Sequence, residues 1–378
     1  MKILHVISGL YQGGAENALY KLCISTSNDN IEHIVVSLSP SGFYSNLFVQ
    51  NNIKCYHLDM KSNRIHLHDC INLFNIIKKV KPDILQTWMY HADFIGGLIA
   101  KFAGVKSIIW GIHNYNVKVL PLPTRIIIKL CSFLSYIIPN KIIICANASI
   151  PIHLKIGYNN NFETIQLGYD ENILYFKQKS YNEIRSFLNI PINEFVIGCV
   201  ARWDPQKNHE NLLNALVLLD NNMTNLNSLT CIFVGANMNE NNSELVSMIK
   251  MKLYKKIKII LYGPTDNVID LMSSFDVKVL PSLGEAFPNV LAEAMLCKVP
   301  CIGTDVGDVN EIIKDTGWIV PSSNPVQLYK VIEEAMNLFF RDDKDWIDRK
   351  NSCRNRIINE FSLTKMNKKY IELWKKYL

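Results

Sequence analysis

No stretch of this chain reaches 18 consecutive uncharged apolar residues, so a membrane-spanning helix is not expected. Its ten cysteines include no Cys-x-x-Cys pair, and the two nearest, Cys297 and Cys301, straddle a helix end and a strand start. Neither a zinc site nor a disulfide framework is readable. The amino terminus, Met1-Lys-Ile-Leu-His-Val-Ile-Ser-Gly, begins as a buried-strand pattern without a cleavage site, which predicts no signal peptide and a cytoplasmic location. Two glycine motifs are also missing. Gly9-x4-Gly14 is followed by Ala15-Glu16 rather than Lys-Ser/Thr, so it is no Walker A loop, and the Gly-x-Gly-x-x-Gly dinucleotide spacing is absent.

What is present is an ordinary globular composition, 48% apolar and 20% charged, in 378 residues, enough for two domains that each bury a core. The net charge of +6 is unevenly placed: residues 1–170 hold 15 Lys+Arg against 9 Asp+Glu, whereas residues 171–378 hold 25 of each. Two readings fit the excess, an anionic partner such as a phospholipid surface or a diphosphate-bearing acceptor, and scattered solvated lysines. No nucleic-acid partner is expected. The run Ile126–Ile138, interrupted by Lys129 and flanked by Arg125 and Lys141, reads as a helix packed on a sheet in preference to one lying on a membrane surface.

Taken in order, Lys2–Ser8 reads as a strand, Gly9–Gly14 as a loop and Ala15–Cys23 as a helix. Further strands are expected at Glu32–Ser37, Ile53–His57, Ile84–Gln86, Ser107–Gly111 and Lys141–Cys145, with helical stretches between several of them, the pattern of a doubly wound parallel sheet. His91 and His113 follow strands and so fall at the ligand edge of that sheet. His91 fits either an acceptor-lining or a structural role. The loop Asn114–Leu122 either closes over a ligand or only connects.

The second half restarts the same grammar: a strand Phe195–Val200, a loop to Asn208 holding Arg202 and Lys207, and a helix His209–Asp220. Two cations beside a helix amino end predict an anion, and a diphosphate meets that need. An Asx cap at Asp266-Asn267 is expected to open another helix. The run Asp342-Asp-Lys-Asp345 reads as a solvated helical face rather than a metal site. Val279-Leu-Pro-Ser-Leu-Gly-Glu285-Ala-Phe-Pro-Asn-Val-Leu-Ala-Glu293-Ala-Met295 then reads as strand, loop and helix, with Pro288 in the first helical turn. The N–H groups of Phe287, Asn289 and Val290 would lack intrahelical partners there, and the positive helix end invites an anion. Glu293 lies eight residues beyond Glu285, about 12 Å along a continuous helix.

Glu285 and Glu293, with Pro281-Ser282 before and Phe287-Pro288-Asn289-Val290 between, resemble the Glu-x7-Glu signature of the retaining glycosyltransferases of family four. Four more loops resemble that family: Gly13-Gly14-Ala15-Glu16, Arg202…Lys207 with Ala201 where glycine is usual, Gly168-x-Asp170 with Leu167 for the usual Asn, and Thr304–Glu311 with Asp308 for a second Gly. The resemblance implies two Rossmann-like α/β domains facing across a cleft, the B-type glycosyltransferase fold, with parallel sheets flanked by helices. It divides the chain into an acceptor domain, 1–170, and a nucleotide-sugar donor domain, 171–363, with the last helix, 364–378, crossing back to the first.

By the same resemblance, His113 and Glu285 lie at the reacting sugar. Gly13, Gly14, Arg202, Lys207, Phe287, Pro288, Asn289, Val290 and Glu293 line the donor. The implied activity is metal-independent, retaining transfer of a hexose or N-acetylhexosamine from a UDP-sugar. The acceptor is a glycan or an undecaprenyl-diphosphate-linked sugar in bacterial surface polysaccharide (O-antigen or capsule) assembly, with peripheral contact to the inner face of an anionic membrane. No separate cofactor is called for. GDP- or ADP-sugars and a nucleotide-sugar epimerase of the same fold are the alternatives, and a non-catalytic assembly protein is disfavoured by the intact Arg202, Lys207, Glu285 and Glu293.

Overall fold

A computed structural model describes residues 1–27, 29–60, 66–115, 117–223, 228–252, 254–341 and 343–378. The chain divides into two units, Met1–Gly168 with Leu363–Leu378, and Tyr169–Ser362. Asn116 of the Asn114–Leu122 loop and Asp342 of the acidic run lie outside the described residues.

The first unit is built on seven strands: β1 (Lys2–Ile7), β2 (Glu32–Ser37), β3 (Lys54–His57), β4 (Ile84–Trp88), β5 (Ser107–Ile112), β6 (Lys141–Ile144) and β7 (Phe162–Thr164). All pair in parallel in the order β3-β2-β1-β4-β5-β6-β7. The central strands are buried almost throughout, as expected where helices cover both faces of a parallel sheet, so their sequences read as near-continuous apolar runs. The short edge strand β7 carries no such run and is not apparent from the sequence. Helix Leu363–Lys376 belongs to this unit, where Trp374 Nε1 donates to Gln86 Oε1 at 2.8 Å.

The second unit holds β8 (Phe195–Val200), β9 (Leu229–Val234), β10 (Ile257–Gly263), β11 (Val277–Leu280), β12 (Cys301–Thr304) and β13 (Trp318–Val320), again all parallel, in the order β10-β9-β8-β11-β12-β13. A buried ion pair secures the start of its two central strands. Arg185 Nη2 donates to Asp276 Oδ2 at 2.6 Å, the same oxygen accepts from Val196 N at 2.8 Å, and Arg185 also donates to the carbonyls of Ser274 and Glu194. All three nitrogens of this guanidinium donate, the kind of satisfaction under which a buried charge is tolerated.

In each sheet the winding direction reverses beside the first strand, between β1 and β4 and between β8 and β11. Crevices beyond the carboxyl ends of strands open at such points. The loops that leave those four strands are Ser8–Gly13, the Met89 turn, Ala201–Asn208 and Pro281–Pro288. Nearly all of the sequence-predicted site residues lie on or just after them.

Two local expectations need correction. Asn267 precedes helix Val268–Met272 without making a side-chain cap; its N–H donates instead to Thr265 Oγ1 at 3.1 Å. Pro288 is extended, at φ −73° and ψ 106°, so helix Asn289–Leu296 begins one residue later than proline at the first helical position would give.

Candidate functional site

In the second unit, β11 ends in a buried turn that aims Glu285 back over the sheet edge. The carboxylate is nine-tenths buried and its Oε1 accepts from both Ser282 Oγ and Lys207 Nζ, each at 2.6 Å. The loop after β8 is clipped to this turn through Leu283 N to Gln206 O at 2.8 Å and Gln206 Nε2 to Gly284 O at 2.7 Å. From the other side, Asp308 N donates to Ala286 O at 3.0 Å, and Gly307 comes so near that a Cβ there would sit 1.9 Å from the Glu285 carbonyl oxygen. Gly307 also has φ +57°, so glycine is required on both counts. Asp308, in the place of a second glycine, is accommodated with its backbone in this contact.

The expectation of two cations awaiting an anion is therefore corrected. Lys207 is held by Glu285, and Arg202, largely exposed, bonds Asp204 Oδ2 through Nε at 3.0 Å and Nη2 at 2.8 Å. Protein carboxylates occupy positions where an acidic ligand would be drawn. The carboxyl of Asp204 is held below its ordinary range, because the Gln206 N–H and Arg202 outweigh its partial burial. His209, buried and stacked on Trp203, faces the Arg202 carbonyl at 3.0 Å and fixes the loop from behind.

One residue escaped the sequence reading. Lys278, inside β11 and fully buried, has its pKa lowered by desolvation, and Glu285 is among the groups that oppose that shift. A lysine in the run Val277-Lys-Val-Leu280 was the available signal, since unpaired lysines are rare in central strands.

Beyond the turn, Phe287 is buried edge-on against Phe361 and Pro288 is buried with no N–H to offer, so both act through packing and backbone position. Asn289 Oδ1 accepts from Tyr169 Oη at 2.7 Å, and Asn289 and Val290 open the helix whose first N–H groups lack intrahelical acceptors. Glu293 is half-buried one turn further on. The structure thus joins Glu285 to Lys207 directly and places Arg202, Phe287, Pro288, Asn289, Val290 and Glu293 on the same two loops and the following helix.

Gly13, Gly14 and His113 belong to the first unit. Gly13 is the extended residue before helix Gly14–Thr26, and a Cβ on it would meet the Glu16 carboxylate at 2.3 Å, so a side chain there would displace that carboxylate. His113 follows β5 and stacks on Trp88 with ring centroids 4.9 Å apart. Both ring nitrogens are shut from solvent without a hydrogen-bond partner among the described residues, and burial lowers its pKa to about 4. It is neutral at neutral pH, with two polar atoms unsatisfied. His91 is half-buried at the start of helix Tyr90–Phe102, its pKa also lowered by burial. The turn between Trp88 and that helix places Met89 at φ +73°, backbone strain next to His113's neighbour.

Trp88 is itself anchored by a buried chain that the sequence did not reveal. Its Nε1–H donates to His5 Nδ1 at 3.2 Å, His5 Nε2 meets His33 Nδ1 at 3.0 Å, His33 Nε2 meets Thr26 Oγ1 at 2.8 Å, and Thr26 donates to the Leu22 carbonyl at 2.6 Å. An indole can only donate and a carbonyl only accept, so both ends assign each imidazole a single neutral tautomer. Burial lowers the pKa of both histidines, that of His33 to about 4. Cys23 lies close enough to His5 and His33 to suggest a metal triad, with ligand atoms within 4.8 Å of one another. A metal on His5 Nε2 would leave Nδ1 to donate, yet Nδ1 already accepts from Trp88, so these residues fit the hydrogen-bonded chain better than an ion.

The second unit brings a charged cluster and a helix end together at the switch point of its parallel sheet, the place where open α/β sheets bind ligands. Residues 180–351 match the family model described as Glycosyl transferases group 1, and with the relatives that follow the match makes the chain a glycosyltransferase. It is 24% identical over 324 residues, 84% of this chain and 79% of the relative, to the Escherichia coli UDP-Gal:alpha-D-GlcNAc-diphosphoundecaprenol alpha-1,3-galactosyltransferase. It is 25% identical over 309 residues to the Staphylococcus aureus capsular polysaccharide biosynthesis glycosyltransferase CapM, covering 78% and 77% of the two chains. Among solved structures, Anabaena HepE in complex with UDP superposes with a TM-score of 0.84 at 19% identity over all of both chains. A Rickettsia africae glycosyltransferase gives 0.82 at 22%, over 100% of this chain and 98% of its own. The fold is the B-type glycosyltransferase fold.

Proposed function

We propose that the protein is a retaining, family-four glycosyltransferase that moves a hexose or N-acetylhexosamine from a UDP-sugar to a lipid-diphosphate-linked glycan during bacterial surface polysaccharide assembly. The observation that carries this reading is the Lys207–Glu285–Ser282 cluster, with Arg202 on the adjoining loop, at the head of helix Asn289–Leu296. The diphosphoundecaprenol acceptor named for the Escherichia coli relative and the capsule named for CapM support the choice of acceptor.

In this reading the second unit takes the donor. The bond from the anomeric carbon to the diphosphate breaks while the acceptor oxygen bonds that carbon on the same face. The acceptor proton passes to the departing diphosphate. Negative charge grows on that group, and Arg202, Lys207 and the amides of Asn289 and Val290 stabilise it as it forms. These fixed charges take the part of a divalent metal, so transfer is expected to persist in EDTA. Glu285 orients the donor sugar, and His113, neutral at neutral pH, is offered by the first unit as a hydrogen-bond partner rather than a proton donor. The first unit takes the acceptor.

Calorimetric titration with UDP, GDP, ADP and NAD in EDTA tests the donor reading. Micromolar binding of UDP alone is expected, weakened at least ~10-fold by Arg202→Ala, the loss of a charged hydrogen-bonding partner. Equal binding of all four, or an Arg202→Ala protein with unaltered affinity, would overturn it. Consumption of UDP-sugar without any acceptor would favour the epimerase.

A further inference from the structure

Strand β11 carries a charge that the reaction scheme above does not use. Lys278 is fully buried, and in the sheet it lies opposite Gly198 of β8 and Cys301 of β12. Paired residues of parallel strands share a face, so their surroundings are also those of the lysine stem. The Phe275 ring fills the space over Gly198, where a Cβ would sit 2.1 Å from it, and Cys301 Sγ reaches the Leu291 carbonyl of helix Asn289–Leu296. The ammonium has three N–H groups to satisfy, and its one hydrogen bond is to the Val279 carbonyl at 3.3 Å. Among the described residues no carboxylate bonds it directly. Such a lysine is costly to bury.

Few groups answer its charge. Desolvation lowers its pKa, the thiols of Cys199 and Cys301 and the Glu285 carboxylate oppose that shift, and Lys207 adds to it. Glu285 is the one carboxylate in that set, and Lys207 and Ser282 both donate to its Oε1, neither to Oε2. Two ammonium groups therefore share one carboxylate at the carboxyl end of β11, an excess of one positive charge where little water enters. The two are not equally free to move. Lys207 stands on the loop after β8, with 19% of its side chain exposed, and can turn to an incoming diphosphate; Lys278 is fixed inside a central strand and stays behind. A carboxylate left beside a diphosphate with no counter-charge would take up a proton, since like charges in a low dielectric cannot both persist. Uncharged, it would no longer steady positive charge on the sugar.

We propose that Lys278 is a positioning residue for Glu285: fixed within β11, its ammonium keeps Glu285 charged when the donor diphosphate draws Lys207 away. Its purpose rests on the donor reading above; the electrostatic pairing of Lys278 with Glu285 does not.

Urea denaturation of the full chain and of Lys278→Met, each with and without Glu285→Gln, reads that pairing in the absence of nucleotide. Methionine keeps an unbranched stem and removes the charge. The substitution should raise the midpoint of the second unit by at least ~0.3 M more in the Glu285→Gln background than in the native one, because only in the native chain is a partner lost. Equal shifts in the two backgrounds would overturn the proposal. Calorimetry with UDP at pH 7, in two buffers of different ionisation enthalpy, then counts the protons exchanged on binding. Lys278→Met is expected to take up at least ~0.3 more protons per UDP than the native chain, an excess that disappears when Glu285→Gln is added. A merely structural lysine would alter affinity and leave the proton count unchanged. Uptake equal to that of the native chain, or an excess that survives Glu285→Gln, would also overturn it. A native chain that binds no UDP would remove the donor reading, and the denaturation cycle would still decide whether Lys278 and Glu285 are paired.

Discussion

Replacing Glu285 by Gln should move binding and turnover in opposite directions. The Glu285 carboxylate and Lys207 ammonium are 2.6 Å apart, with side-chain exposures of 10% and 19%. At an effective dielectric near 20, unit charges 4 Å apart interact by about 4 kcal/mol before desolvation and screening. Access of solvent and salt brings the competition that Glu285 offers an incoming diphosphate down to ~1–2 kcal/mol, or ~5–30-fold in affinity. The Gln amide oxygen still accepts from Ser282 and Lys207, so the loop should keep its shape at a cost of about 1 kcal/mol in stability. UDP is therefore expected to bind Glu285→Gln ~5–30-fold more tightly, by calorimetry in EDTA. The rate of sugar transfer should fall by ~10²-fold or more, because the charge that steadies the reacting sugar is gone. Unchanged or weaker UDP binding would refute the reasoning, since it would mean that Lys207 does not receive the diphosphate.

Gly307→Ala should cost at least ~100-fold in turnover while the chain still folds, because its Cβ would force the Glu285 carbonyl aside and displacements near 1 Å at a reacting centre have that effect; wild-type rates in a variant of native circular dichroism would contradict it. The buried His33 titrates near 4 when folded and near 6.5 when unfolded, so the stability it contributes is complete above pH 6.5 and is lost as the pH falls toward 4. Between pH 8 and pH 5 that loss comes to about 2 kcal/mol, so in urea denaturation the fall in stability should be smaller by about that amount in His33→Gln than in the native chain, other buried histidines such as His113 contributing to both; parallel pH profiles of the two proteins would remove His33 as the cause.

The two α/β units were legible because parallel strands covered on both faces leave unmistakable apolar runs. The loops around Glu285 and Arg202 were legible through their resemblance to a known family's loops, flanking residues included, and not through the spacing of carboxylates and cations alone. Pairing was not. Lys207 and Glu285 are 78 residues apart, and nothing local announces that one neutralises the other. Lys278 was hidden by its apolar neighbours, and the His5–His33 contact by a separation of 28 positions between residues on two strands whose adjacency is a matter of topology. Helix Leu122–Leu134, in which Ile128 and Cys131 are buried while Ile126 and Phe133 are exposed, shows a different limit: an all-apolar run says that a helix is buried on some side, and only the fold says which side is left over.

The chain from Trp88 through His5, His33 and Thr26 to Leu22 also has a direction. Proton conduction along hydrogen bonds requires every link to turn over in sequence, and here the first link can only give and the last can only receive. The chain cannot carry a proton from one end to the other. It works as a strut rather than a wire, tying the indole on which His113 rests to the last turns of helix Gly14–Thr26.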